Sequence, residues 1–205
     1  MGIYLNSGND DFYEAIHSEI YIDKSMLIEN TNKILKTKQK YVCISRPRRF
    51  GKSITADMLT AYYNKGCNSK ELFSRLKISK SSSFEKHLNK YNVIHLNMAD
   101  FWNEANDICE MLNFIEEDLT EELIRTYSHV EFPKRKTLMK ILMTIFNSEQ
   151  VPFVFVIDEW DCIFRENQNN TEAQKVYLDF LRGLLKDKSY VALAYMTGIL
   201  PIKKY

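Results

Sequence analysis

The segment 46–53 reads Arg-Pro-Arg-Arg-Phe-Gly-Lys-Ser and carries residue types that bind phosphate. It follows an apolar run and precedes an amphipathic stretch, so it lies where a strand turns into a helix. Free N–H groups and the dipole at such a helix N-terminus favour an anion. Gly51 would let the backbone approach closely, Lys52 would reach the β- and γ-phosphates, and Ser53 would ligate Mg²⁺. The pattern predicts a turn that binds a nucleoside triphosphate.

This turn departs from the general phosphate-loop pattern at its start. That pattern opens with a glycine five residues before its second glycine, and here Arg46 occupies the position. A Gly-Lys-Ser or Gly-Lys-Thr tripeptide occurs by chance in roughly one chain in ten of this length, so the prediction depends on the flanking strand and helix. The alternative for Arg48 and Arg49 is that they are ordinary exposed arginines. The residues predicted to contact the nucleotide are Arg46, Pro47, Arg48, Arg49, Phe50, Gly51, Lys52, Ser53 and Ile54.

A second group of chemically active residues follows the apolar run 153–157. Asp158 is predicted to hold Mg²⁺ through its water shell, and Glu159 to orient and polarise an attacking water. Thr197 ends another apolar run and would sense the γ-phosphate or hold the water. The alternative for Asp158 and Glu159 is a solvated acidic turn. The alternative for Thr197 is an ordinary Thr-Gly turn. The predicted catalytic residues are Glu159, Lys52 and Thr197, and the predicted metal ligands are Ser53 and Asp158.

The elements that must position these residues follow from apolar periodicity. Short apolar runs predict strands at 41–44, 93–96, 153–157 and 190–196. Helical spacing predicts helices at 54–62, within 104–127, at 138–145 and after Thr171. Their alternation predicts βαβ units around a mainly parallel sheet, and therefore a three-layer α/β/α fold.

The remaining organisation is simple. The polar segment 79–83 is predicted to be a surface loop. We expect residues 1–40 to form a lead-in that packs on a domain spanning residues 41–205.

Composition excludes several classes of protein. The 28 Lys and Arg residues nearly balance the 27 Asp and Glu residues, so a formal charge of +1 does not indicate a nucleic-acid binder. The four cysteines lack metal-site spacing, and Cys43 and Cys162 lie in or beside apolar runs that predict buried thiols. With no secretory signal and no apolar run long enough to span a membrane, we expect a cytoplasmic protein without a membrane partner.

Together these motifs resemble the predicted AAA-ATPase-like family of bacterial and archaeal proteins. The family's phosphate loop reads R-P-R-R-F-G-K-S, so Arg46 agrees with the family where it departs from the general pattern. The similarity covers about residues 21–199. The other matching motifs are the lead-in Tyr21-Ile22-Asp23-Lys24-Ser25, the acidic strand end Ile157-Asp158-Glu159-Trp160-Asp161 and the sensor strand end Thr197-Gly198-Ile199.

The resemblance implies ATP and Mg²⁺ as ligands, ATP hydrolysis, and a P-loop NTPase sheet ordered 1-4-3-2 or 5-1-4-3-2. Members usually continue into a lid and often into a nuclease-like C-terminal domain. We expect the fifth strand and the lid to be missing from this chain.

Three hypotheses of function follow. The first is Mg²⁺-dependent ATP hydrolysis coupled to a conformational change. The second is a nucleotide-dependent switch that binds ATP and changes a partner's state with negligible turnover. The third is a small-molecule or nucleotide kinase, which would need an acceptor pocket and basic lid residues. The expected partner is ATP, and self-association or a protein partner stays open.

Overall fold

A computed structural model of the protein describes residues 2–200. Its centre is a four-stranded sheet in the order β1-β4-β3-β2, and every neighbouring pair is parallel. This confirms the predicted sheet and its 1-4-3-2 order. The strands are β1 (Tyr41–Ser45), β2 (Asn92–Asn97), β3 (Phe153–Asp158) and β4 (Val191–Gly198).

Helices cover both faces of the sheet. A short 3-10 helix at Lys77–Lys80 accompanies them. The α-helices are α1 (Asp10–Ile16), α2 (Met26–Ile34), α3 (Lys52–Tyr63), α4 (Lys70–Phe73), α5 (Phe84–His87), α6 (Met98–Glu104), α7 (Ile108–Thr126), α8 (Leu138–Glu149), α9 (Cys162–Glu166) and α10 (Thr171–Leu185).

Strand β3 shows why the sheet must be covered twice. All of its residues are buried, and its side chains alternate between two separate cores. Val154 and Val156 pack with α3 side chains on one face, whereas Phe153, Phe155 and Ile157 pack with α7, α8 and α10 side chains on the other. At roughly 1.5–3 kcal/mol for each fully buried apolar side chain, a single uncovered face would be costly. The three-layer prediction is therefore confirmed.

Two of the long helices that flank the sheet, α7 and α10, begin at side-chain caps. Asp107 accepts a hydrogen bond from the Glu110 N–H at 2.9 Å and starts α7. Asn170 accepts from the Ala173 N–H at 3.0 Å and starts α10. The helix predicted within residues 104–127 is α7, which begins at Ile108 and ends at Thr126.

Two local predictions need correction. The segment 79–83 is not entirely loop, since its first residues complete the 3-10 helix, whose Ile78 is buried. Cys162 is buried as predicted, but Cys43 is exposed. The reason is the strand order: β1 lies at the edge of the sheet, so its apolar pattern is only partly covered.

The N-terminal segment runs antiparallel beside β2. The Asn6 N–H donates to the Val93 carbonyl at 2.7 Å, and the His95 N–H donates to the Tyr4 carbonyl at 2.9 Å. Glu122 of α7 anchors the same segment by accepting the Tyr4 N–H at 3.0 Å. This pairing satisfies an edge that would otherwise present free backbone groups. Within residues 2–200, none of the helices has the length and apolarity needed to cross a membrane.

Candidate functional site

The strand register brings the chemically active residues to one edge of the sheet. Ser45 of β1 is level with Gly198 of β4, and Asn97 of β2 is level with Asp158 of β3. Parallel strands present their carboxyl ends at the same edge, where ligands of open α/β sheets bind. Two turns leave this edge: the basic turn (residues 46–51) after β1, and the acidic turn (residues 158–161) after β3.

The basic turn ends at a glycine with a left-handed backbone. Gly51 has φ +68° and ψ +38° and directly precedes α3. Its carbonyl accepts the Thr55 N–H at 3.2 Å and the Thr55 hydroxyl at 2.7 Å, which closes the first turn of the helix. The first N–H groups of a helix have no intrahelical partner. The arrangement therefore leaves backbone donors at the sheet edge, as anion binding requires.

Lys52 lies beneath this turn without an acidic partner. Only 9% of the residue is exposed, and its Nζ donates to the Pro47 carbonyl at 3.2 Å. Among residues 2–200, no carboxylate lies within 4.0 Å of this ammonium. A buried cation that lacks a counter-ion is costly, so the position suits an anionic ligand.

Asp158 connects the two turns. It is 4% exposed, and its Oδ2 accepts the Ser53 hydroxyl at 2.6 Å. Its Oδ1 accepts the Thr197 hydroxyl and, at 2.9 Å, the Glu159 N–H. The two predicted metal ligands and the predicted sensor threonine therefore share one hydrogen-bonded cluster.

Glu159 takes a strained conformation and pairs with an arginine. Its φ of +51° is uncommon for a residue with a Cβ. The guanidinium of Arg165, on α9, donates to its carboxylate. Both side chains face a cleft of about 490 Å³, here called the central cleft, that Lys52 and Ser53 also line. A predicted general base thus lies at the predicted phosphate site, but in an ion pair.

Asp161 holds the acidic turn against the end of β4. It has no exposed surface, and its Oδ2 accepts the N–H groups of Ile199 at 2.8 Å and Leu200 at 2.6 Å. The packing is so tight that a Cβ on Gly198 would lie 2.8 Å from the Asp161 carboxyl carbon. Arg165 Nε lies 3.6 Å from Asp161 Oδ1, which links this carboxylate to the Glu159 ion pair.

The lead-in motif docks beside the basic turn. Asp23 accepts the N–H groups of Ser25 at 2.8 Å and Lys77 at 2.9 Å. Burial raises the pKa of Asp23, but these hydrogen bonds outweigh it and leave the pKa below its ordinary value. The buried Ser25 hydroxyl accepts the Ile78 N–H at 3.1 Å. Lys24, between them, donates from Nζ to the Phe50 carbonyl.

A second, more apolar cleft of about 370 Å³ lies between this lead-in and α3; we call it the lead-in cleft. Ile20 and Ile22, two of its lining residues, are 82% and 71% exposed. Its lining residues are Ile20, Tyr21, Ile22, Lys24, Arg49, Phe50, Gly51, Ile54, Thr55 and Met58.

Two further titratable groups lie near Asp158. Burial, together with the charges of Asp11 and Asp158, raises the pKa of Asp57 to about 7. Burial lowers the pKa of His95, although the carboxylates of Asp158 and Asp11 oppose it. Asp57 lies one helical turn beyond Ser53 on α3, so α3 carries both a hydroxyl and a carboxyl group toward this edge.

The donor set fits Mg²⁺ held largely by water and phosphate. Within the described part of the chain, no group of three or more His, Cys, Asp or Glu side chains could hold a metal ion. Mg²⁺ usually keeps several waters and binds through one or two protein oxygens plus substrate phosphates. The Ser53 hydroxyl and the Asp158 carboxylate, 2.6 Å apart, supply such a pair.

Comparison with protein-family models identifies the family of this chain. A family model described as "AAA-ATPase_like: Predicted AAA-ATPase" matches residues 7–205. The chain belongs to this AAA-ATPase-like family. A search of curated proteins found no match. Family membership supports nucleotide binding in general, and it does not by itself assign residues to the reaction.

The residues predicted to contact the nucleotide do not share one cavity. Arg48, Arg49, Gly51, Lys52, Ser53 and Ile54 line the central cleft. Arg46 instead lines a third cleft of about 580 Å³, together with Lys24 and Tyr195, and its N–H donates to the Gly198 carbonyl at 3.0 Å. Phe50 is 58% exposed and faces the lead-in cleft. Pro47 contributes its carbonyl to Lys52.

Four polar residues of this site were not predicted from sequence: Lys24, Asp57, Asp161 and Arg165. Lys24 and Asp161 lie within motifs that the family shares, so the motifs contained a signal. Arg165 follows the acidic turn by one helical turn, and only the folded geometry reveals its partner.

Proposed function

We propose that this protein is a Mg²⁺-dependent nucleoside triphosphatase that uses ATP. The observation that carries the proposal is the hydrogen-bonded cluster of Ser53, Asp158 and Thr197. Beside it lies the ammonium group of Lys52, which has no carboxylate partner among the described residues. Lys52, Ser53 and Glu159 all line the central cleft beside this cluster. Phosphoryl transfer to water needs this combination of positioning and charge stabilisation.

In this proposal each residue has a definite role. Lys52 and the N–H groups at the start of α3 bind the phosphates. Ser53 and Asp158 hold Mg²⁺, which neutralises phosphate charge when bound. Thr197, whose hydroxyl already bonds to Asp158, orients the carboxylate or the reacting water.

Glu159 is the proposed base that accepts a proton from the attacking water. Its carboxylate is paired with Arg165 in the structure, so this contact would have to loosen before a water could take its place. The γ-phosphate is an anion that competes for the same guanidinium. Nucleotide binding would thereby free the base.

The lead-in cleft is the proposed place for the base of the nucleotide. It adjoins Gly51 and is lined largely by apolar side chains, including Tyr21 and Ile22. Aromatic and branched apolar side chains at such a position can pack against the faces of a purine ring.

A pair of substitutions tests this proposal. Lys52→Ala should lower ATP affinity at least ~100-fold, because the charge-assisted contacts to phosphate are lost. Glu159→Gln should bind ATP normally but hydrolyse it ~100-fold more slowly or worse, because the base is gone. ATP-induced change in melting temperature and phosphate release measure the two effects.

Lys175→Ala is the matched control, since this lysine is exposed on α10 and lines none of the three clefts. It should leave both measurements unchanged. Normal binding and turnover in both site variants would refute the proposal.

One observation favours a second candidate, a nucleotide-dependent switch with negligible turnover. The proposed base is already engaged by Arg165, which itself contacts Asp161 and Glu166 at 3.6 and 4.0 Å. If this ion pair persists with ATP bound, the protein would bind ATP without hydrolysing it. Steady phosphate release from the purified wild-type chain would exclude the switch.

A further inference from the structure

Two lysines contact the basic turn in the same way. Lys52 donates to the Pro47 carbonyl at 3.2 Å, and Lys24 donates to the Phe50 carbonyl. Lys52 belongs to the turn's own helix, whereas Lys24 arrives from the lead-in, far away in sequence. Both ammonium groups therefore contact the backbone that precedes α3.

The backbone around Lys24 is fixed on both sides. Asp23 is tied to the Ser25 and Lys77 N–H groups at 2.8 and 2.9 Å, and the wholly buried Ser25 to the Ile78 N–H at 3.1 Å. These contacts hold the main chain of the lead-in and leave the Lys24 side chain exposed. The backbone of Lys24 is therefore fixed beside the basic turn, and its exposed side chain can still contact a ligand.

Charge at Lys24 is also uncompensated. No carboxylate of residues 2–200 lies within 4.0 Å of its Nζ. An ammonium group has three donors, and the Phe50 carbonyl uses one of them. The side chain lines the lead-in cleft with Gly51 and the third cleft with Arg46 and Lys52. A Cβ on Gly51 would lie 2.9 Å from Lys24 Nζ, so the ammonium is against the turn itself.

We propose that Lys24 is a second phosphate-binding ammonium of the nucleotide site. It would keep its bond to the Phe50 carbonyl and donate a further, charge-assisted hydrogen bond to a phosphate oxygen of a nucleoside di- or triphosphate. This inference rests on the proposed function. It adds a lead-in residue to the phosphate contacts that Lys52 and the N–H groups at the start of α3 would otherwise make.

The test compares Lys24→Met, which keeps the length of the side chain but removes its charge, with Lys24→Arg, which keeps a cation. Lys33→Met is the matched control. Lys33 is exposed on α2, and its substitution changes the net charge by the same amount as Lys24→Met. The ligands are ATP, inorganic tripolyphosphate and adenosine, each titrated with Mg²⁺ and followed by calorimetry. Melting of the ligand-free variants checks that all of them fold.

Lys24→Met should weaken the binding of ATP and of tripolyphosphate about tenfold and leave the binding of adenosine unchanged. It should also make ATP affinity less sensitive to salt, since one ionic contact is gone. Lys24→Arg should retain most of the affinity, and Lys33→Met all of it.

The failures are distinguishable. If the wild type binds neither ATP nor tripolyphosphate, the proposed function fails, and this inference with it. If the wild type binds both and Lys24→Met binds them equally well, only the role of Lys24 is refuted. Equal weakening by the Met and Arg variants would also refute it, because the charge would then not be the cause.

Discussion

The basic and acidic turns leave the same edge of the sheet but are built in opposite ways. Residues 46–50 of the basic turn are all exposed, and its lysine contacts are to backbone carbonyls. In the acidic turn, Asp158, Trp160 and Asp161 are buried, and both aspartates accept hydrogen bonds at short range. Within the part of the chain that the structure describes, the cations of the basic turn have no acidic partner, whereas both aspartates of the acidic turn already accept hydrogen bonds from within the protein.

The difference separates binding from stability. Buried carboxylates that accept backbone and hydroxyl hydrogen bonds organise the acidic turn, and removing one leaves unsatisfied donors. Exposed cations without acidic partners contribute little to folding and have most to gain from an anion. Substitutions in the acidic turn should therefore lower the free energy of unfolding, whereas those in the basic turn should lower affinity for phosphate.

The largest stability effect is expected for Asp161→Ala. It leaves the Ile199 and Leu200 N–H groups without their acceptor and should cost about 2–4 kcal/mol, or roughly 5–10 °C in melting temperature. Asp179→Ala is the control, because its carboxylate is half-exposed and pairs with Arg182 on the surface of α10. Equal melting of the two variants would contradict the contrast between the turns.

A smaller loss is expected for Gly198→Ala. The new Cβ would lie 2.8 Å from the buried carboxyl of Asp161, and relieving that overlap should cost about 1–3 kcal/mol. Gly183→Ala is a useful comparison, because it should change the free energy of unfolding in the opposite direction. This glycine lies inside α10, where the nearest atom to a new Cβ is Met139 Cε at 3.4 Å, so alanine should stabilise by about 0.5–1 kcal/mol. Thermal melting of both variants would show opposite shifts.

The last prediction depends on pH and concerns Asp57, on the helix that follows the basic turn. Its pKa is raised to about 7, so the folded chain keeps a proton that the unfolded chain, with a pKa near 3.8, has lost. Stability from this group is therefore lost as pH rises from about 4 to 7. Asp57→Asn should stabilise the protein at pH 8 and hardly at all at pH 4, because only the charged carboxylate is disfavoured by burial. A pH-independent shift in melting temperature would show that the carboxyl's charge is not responsible.

The sequence by itself determined the elements whose signals are local. The apolar run of β3 is long enough to predict a strand buried on both faces, and the periodicity of α3, α8 and α10 predicts helices where they occur. The 1-4-3-2 sheet order came from resemblance to a family, through motifs that stand in a recognisable order. In the same way, a strand, a turn and a helix around Gly51 are visible within a short window.

Only the tertiary structure decided what meets at the sheet edge. Short helices such as α9 bury few residues and have weak periodicity, so Arg165 could not be assigned to Glu159 in advance. Cys43 is exposed because β1 is an edge strand, a fact that no local pattern contains. The bonds from Lys24 to the basic turn and from Asp161 to the end of β4 join residues distant in sequence. Local propensity acts over a few residues, whereas such contacts exist only after the sheet has ordered its strands.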